Sequence, residues 1–88
     1  MFTLLDFYAD WCGPCKIMAP IFEKLEKELS NKIEFKKVDV EAEGILAGKF
    51  NVMSIPTFVI LKNGKEVDRK VGAMPEDIVK SWLNSHVQ

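Results

Sequence analysis

The sequence predicts an α/β domain of order β-α-β-α-β-β-α, with one four-stranded mixed sheet and helices on both faces. Three observations predict it. A largely apolar run, Phe2–Tyr8, is followed by a helix-periodic run from Cys15 to about Leu29. A second strand-like run, Ile33–Val40, comes after that helix, which makes a parallel pair joined by a right-handed crossover. Asn63-Gly64 then separates two further strand-like runs, the strongest short hairpin signal there is. The 88 residues allow one core and so one domain, 1–88.

Phe2–Tyr8 is too apolar to be half exposed and reads as a central strand buried on both faces. Alternation puts Leu4, Asp6 and Tyr8 on one side and Leu5 and Phe7 on the other. In the first helix, Ile17, Met18, Ile21, Phe22, Leu25 and Leu29 form the apolar stripe, while Lys16, Glu23, Lys24, Glu26, Lys27 and Glu28 take the wet side. Pro14 suits the first helical turn, and Pro20 inside the helix is expected to kink it rather than stop it. The lysines of Ile33–Val40 suit an edge strand. Glu43–Phe50 reads as a short helix resting on Ile45, Leu46 and Phe50 and weakened by Gly44 and Gly48. Phe58–Leu61 and the charged Lys65–Val71 form the hairpin. Pro75 opens a last helix whose buried stripe is Ile78, Val79, Trp82 and Leu83. Trp82, Phe22, Phe58 and the helical methionines are expected in the core, and His86 in solvent.

Composition narrows the function. The chain is 48% hydrophobic and carries a net charge of −1 with both signs interspersed, so it lacks the basic stripe of a nucleic-acid groove. The apolar start is too short to span a bilayer and holds Asp6, so no membrane role is expected and the protein is read as cytoplasmic. Two cysteines are too few for a disulfide-stapled secreted scaffold. Zinc, the competing use of a C-x-x-C pair, wants four ligands, and the sequence offers two cysteines and one distant His. No metal and no cofactor are expected, since a glycine-rich dinucleotide fingerprint is missing too.

Redox chemistry is what remains. In Trp11-Cys12-Gly13-Pro14-Cys15 the first thiol sits where a helix begins, facing unpaired N–H groups and the positive end of the dipole. Both favour thiolate over thiol, which makes Cys12 the candidate nucleophile. Cys15, about one turn deeper, is placed to resolve a mixed disulfide. Asp6 is the other informative residue. An anion in an apolar strand is costly to desolvate, so its pKa should rise, either as a structural hydrogen-bonding group or as a general base.

The run Asp6–Lys16 with its WCGPCK core, then Pro20, Lys37-Val-Asp39, Ser54-Ile-Pro-Thr57, Lys62-Asn-Gly64 and Val71-Gly-Ala73, resembles the thioredoxin family over essentially the whole chain. The resemblance implies a minimal thioredoxin fold and a protein disulfide reductase, an electron carrier working by dithiol–disulfide exchange. It implies that Asp6 takes the Cys15 proton through a water, with Lys37 nearby to tune it. It further implies a cis bond at Pro56 that frees the Ile55 backbone to pair with an extended substrate. Trp11, Gly13, Pro14, Ile55, Gly72 and Ala73 would form a flat apolar rim around Cys12. The expected partners are disulfide-containing proteins and a thioredoxin reductase. Gly13-Pro14 resembles strongly reducing members, whereas isomerase-like relatives carry His in the Pro14 position. The contrasting reading is a docking subunit or holdase with dormant cysteines. Most members begin with a further strand and helix, so Ile33–Val40 is expected to be a bare edge, and the chain to be a less stable monomer or a weak dimer.

Overall fold

Phe2–Tyr8 forms β1, and the sheet is built outward from it. A computed structural model describes residues 1–87. Its elements are β1 (Phe2–Tyr8), α1 (Gly13–Leu29), β2 (Ile33–Asp39), α2 (Gly44–Lys49), β3 (Thr57–Lys62), β4 (Lys65–Val71) and α3 (Glu76–Val87). The strand order is β2-β1-β3-β4. β1 and β2 are parallel, whereas β1–β3 and β3–β4 are antiparallel. Flanked on both sides and covered on both faces, β1 buries Leu4, Leu5, Asp6 and Phe7.

The alternation of β1 divides the core. Leu4 joins Met18, Phe22, Leu25 and Leu29 of α1, Phe58 and Ile60 of β3, and Val79, Trp82 and Leu83 of α3. Phe22 stacks on Phe58 with ring centroids 4.4 Å apart. Leu5 and Phe7 face the other way, toward Val38, Val59 and Ala47, with Leu46 and Phe50 at the margin. Two helices therefore cover one face, and the six-residue α2 covers the other.

Three apolar residues expected in buried stripes are exposed instead: Ile17 (64%), Ile45 (93%) and Ile78 (48%). Each is a helical neighbour of a residue that is buried or half-buried, and successive helical positions point about 100° apart. The working stripes are thus Cys15, Met18, Phe22, Leu25 and Leu29 in α1, Ala47 in α2, and Val79, Trp82 and Leu83 in α3. Helix α1 begins at Gly13, two residues before the predicted start, and runs through Pro20 to Leu29. In the hairpin Asn63 and Gly64 take φ of 53° and 84°, the positive pair that a type I′ turn requires.

Strand β4 contains a bulge. The register shifts between Ile60 and Leu61, so that Ile60 opposes Asp68 and Leu61 opposes Glu66, with Val67 extruded. The extra residue puts Glu66 on the same face as Arg69, where the two pair closely. Arg69 also donates to the carbonyl of Phe50 at 2.8 Å, which ties β4 to the end of α2.

On the opposite face, Asp68 accepts from the Trp82 indole N–H at 2.8 Å and meets His86 Nε2 at 2.9 Å. His86 is therefore a partner of the sheet rather than a solvated end residue, and its side chain is 26% exposed. The indole hydrogen bond, followed by that of His86, holds the Asp68 carboxyl below the ordinary carboxylate range. Asp68→Ala leaves the Trp82 N–H without its acceptor and is expected to destabilise the fold by about 1 kcal/mol. Denaturant midpoints check this. A change confined to the Trp82 emission spectrum, with the midpoint unmoved, would show that the contact contributes nothing net.

Candidate active site

The peptide leaving β1 turns sharply into α1, and the turn is fixed by its own hydrogen bonds. Cys12 N–H donates to the Ala9 carbonyl at 3.1 Å, and Lys16 N–H donates to the Cys12 carbonyl at 3.2 Å. Cys12 has extended backbone (φ −85°, ψ 112°) and is the N-cap of α1. Its Sγ accepts from the Cys15 N–H at 3.2 Å, the role that a Ser or Asp oxygen usually plays at a cap. Pro14 lies in the first turn, where its missing N–H was unpaired in any case.

Cys12 and Cys15 are joined in a disulfide, with Cα atoms 5.2 Å apart. The sequence led us to expect Cys15 to be clearly the deeper thiol. Both residues are in fact nearly buried, at 4% and 7% exposure, because Ala9, Tyr8, Val40 and Ile55 pack around them. What separates the two cysteines is position along the helix. Cys12 stands outside the first turn and receives its N–H; Cys15 is within it.

Their surroundings differ as well. Cys15 opens on a cleft of about 140 Å³ that is also lined by Asp6, Tyr8, Ala9, Lys16 and Lys37. Asp6 and Lys37 are register partners across β1–β2. Burial pushes the Asp6 carboxyl up, and the Lys37 charge only partly offsets this, leaving its pKa at about 6. The Lys37 ammonium also stands 4.7 Å from the centre of the Tyr8 ring. Asp6, Lys37 and Cys15 are thus brought together by β1, β2 and α1.

On the other side of the cysteines runs a groove of about 420 Å³ lined by Trp11, Val40, Ala47, Val52, Met53, Ser54 and Ile55. Trp11 is 66% exposed and Met53 92%. Ile55–Pro56 is a cis bond, as the resemblance implies. Pro56 is buried, and its carbonyl accepts from Gly72 N–H at 2.9 Å, which holds the Gly72-Ala73 corner (Gly72 φ 95°) to the site. Gly13, Pro14 and Ala73 are exposed. Val40, Val52 and Met53 escaped the sequence reading. Nothing local marks a loop methionine or a strand-end valine as the wall of a groove.

The thioredoxin family model matches residues 1–85. The chain belongs to the thioredoxin family. It is 44% identical over 85 residues to a thioredoxin of Bacillus subtilis (strain 168), covering 97% of this chain and 82% of that protein. To a Haemophilus influenzae thioredoxin it is 40% identical over 84 residues, covering 96% and 78%. A solved mutant thioredoxin from Halobacterium salinarum NRC-1 superposes with a TM-score of 0.92 at 36% identity, covering 99% of this chain and 75% of that one. The four-stranded sheet and three helices are a thioredoxin fold, and the cysteine pair makes the chain a disulfide oxidoreductase of that family. Among the described residues no group of three or more His, Cys, Asp or Glu is placed to hold a metal ion, and no helix is long and apolar enough to cross a membrane.

Asp6 carries a measurable signature in this thioredoxin fold. A carboxyl raised from its ordinary 3.8 to about 6 holds its proton more tightly folded than unfolded. Its contribution to stability is full below the lower value and is lost as pH rises through the upper one. Above that range the buried anion costs on the order of 3 kcal/mol. Asp6→Asn is therefore expected to stabilise the protein at neutral pH by up to that amount, with the gain shrinking as pH falls below about 6 and gone below 3.8. Unfolding midpoints of both proteins across this pH range check it. A pH-independent difference would remove the raised pKa.

Proposed function

We propose that the protein reduces disulfide bonds in other proteins, with the Cys12 thiolate as nucleophile. The observation that carries this is the cap geometry, in which the Cys12 sulfur receives the Cys15 N–H in the first turn of α1 while Cys15 faces the Asp6 cleft. Cys12 attacks one sulfur of the substrate disulfide and expels the other as a thiolate. Cys15 then gives its proton to Asp6 through a water in the cleft and attacks Cys12 Sγ, expelling the second substrate sulfur. Two electrons pass to the substrate, and the chain is left with the Cys12–Cys15 disulfide seen in the structure. Lys37 keeps the Asp6 pKa from rising further, so that the carboxylate form is available near neutrality.

Trp11, Gly13, Pro14, Gly72 and Ala73 supply a flat surface for varied substrates, and the Ile55 backbone beside cis Pro56 pairs with an extended segment carrying the target cysteine. One chain carries the whole site. A thioredoxin reductase in the same compartment, read as the cytoplasm, returns the pair to the dithiol.

The testing experiment is turnover of a model protein disulfide together with a reduction potential. A value near the roughly −270 mV at which thioredoxins themselves stand marks a reductase, and one near about −180 mV an isomerase-like oxidant. Binding of substrate without turnover would leave a docking module. Asp6→Asn is expected to slow resolution of the mixed disulfide while the first attack stays nearly intact. Unchanged resolution would take Asp6 out of the mechanism.

A further inference from the structure

Strand β4 ends at Val71, and the chain turns through Gly72, Ala73 and Met74 before α3 begins at Glu76. This corner is held at two points. On one side Gly72 N–H donates to the Pro56 carbonyl at 2.9 Å, beside the cis bond. On the other Met74 N–H donates to Met18 Sδ at 3.3 Å. Ala73, between the two donors, is exposed. Met18 is 1% exposed and follows Cys15 on α1 by about one turn. The second bond therefore ties the corner to the helix that carries the cysteines.

A core methionine normally fills space, which leucine or isoleucine does nearly as well. Here the sulfur also meets a backbone donor. Met74 is half-buried and packs on the same core as Met18. A main-chain N–H partly withdrawn from water needs an acceptor, and the thioether, though weak, is one. The other polar links between α1 and α3 among the described residues are the solvent-facing ion pairs Lys24–Glu76 and Lys80–Glu28. Such pairs contribute little, and both lie past the corner.

We propose that Met18 is a positioning residue for substrate binding, its sulfur holding the Gly72–Met74 corner where Ala73 meets a protein substrate beside Cys12. The inference rests on the reading of Gly72 and Ala73 as part of the substrate surface. With the acceptor removed, the corner is anchored only at Gly72 and is out of place part of the time. Apparent affinity for a substrate that touches it falls with the fraction of time the corner is in place. A small disulfide that reaches Cys12 without touching the corner is indifferent to the change. The chemistry at sulfur is unaltered, because Met18 belongs to the α1–α3 core and not to the cluster around the cysteines.

The test is single-turnover kinetics of the reduced protein with two oxidants in turn, insulin as the protein disulfide and dithiobis-nitrobenzoate as the small aromatic one. Met18→Leu removes the acceptor and nearly conserves volume. Met18→Ile removes it with a different shape, and circular dichroism checks that each variant folds. The second-order rate constant with insulin is expected to fall roughly two- to fivefold, the share that one weak hydrogen bond supports. The rate constant with dithiobis-nitrobenzoate is expected to stay unchanged, and amide exchange of Met74 to quicken. A wild-type chain that leaves insulin unreduced overturns the reductase reading and this inference with it. Three results overturn this inference alone while wild-type turnover stands: variants as fast as wild type on insulin, equal losses on both disulfides, or Met74 exchange that does not change.

Discussion

Cys12→Ser is expected to reduce disulfide turnover to the uncatalysed background, whereas Cys15→Ser is expected to arrest the reaction at a one-to-one mixed disulfide. The difference follows from where each sulfur stands. Cys12 caps α1 and accepts the Cys15 N–H at 3.2 Å, so the helix end stabilises negative charge on that atom. Serine keeps the cap but has no accessible anion at neutral pH, so the first attack fails. With Cys15→Ser the first attack proceeds, and nothing then displaces the substrate from Cys12. Mass spectrometry of the arrested adduct and a turnover assay separate the two variants. Alkylation rates of the reduced protein against pH should give Cys12 a midpoint below the roughly 8.5 of a free thiol. A midpoint at the free-thiol value, or an adduct that forms on Cys15 first, would contradict the assignment.

The largest structural effect is expected from Phe58→Ala. Phe58 is fully buried near the start of β3, opposite Asp6 in register, and it stacks on Phe22. Deleting a buried phenyl ring removes its transfer free energy and leaves a cavity that the neighbours only partly fill, a loss of about 3–5 kcal/mol. Small domains are stable by about 5–15 kcal/mol in all, so this is a large share. The thermal midpoint should fall by more than about 10 °C. Ile45→Ala is the control, since Ile45 is 93% exposed, and should change stability by less than about 0.5 kcal/mol. Equal losses from the two substitutions would mean that the core between α1, α3 and the sheet does not hold the fold together.

Much of this fold was legible in the chain because its local signals agree with one another. Phe2–Tyr8 carries too few polar groups to lie on a surface, and the structure places it centrally. The positive φ values at Asn63 and Gly64 match the turn that this dipeptide prefers. The stripes of α1 and α3 were less well resolved. Ile17 and Ile78 are apolar residues at neighbouring helical positions, and period alone does not say which of two adjacent apolar residues points inward.

The cysteine pair, its place at a helix start and the elevated pKa of Asp6 follow from short-range chemistry that residue types and spacing determine by themselves. A thiol preceding Gly-Pro at the mouth of a helix meets free N–H groups whatever the rest of the chain does, and a carboxylate in an apolar strand is poorly solvated in any fold that buries it. Three features were decided only in three dimensions. These are the shared cleft of Asp6, Lys37 and Cys15, the Trp11–Met53–Ile55 groove, and the Asp68–Trp82–His86 contact. Each joins residues from elements far apart in sequence. The bulge at Val67 decides which face Glu66 takes, and the crossover decides that Lys37 lies beside Asp6. Register and topology are properties of the assembled sheet, and no window of neighbouring residues contains them.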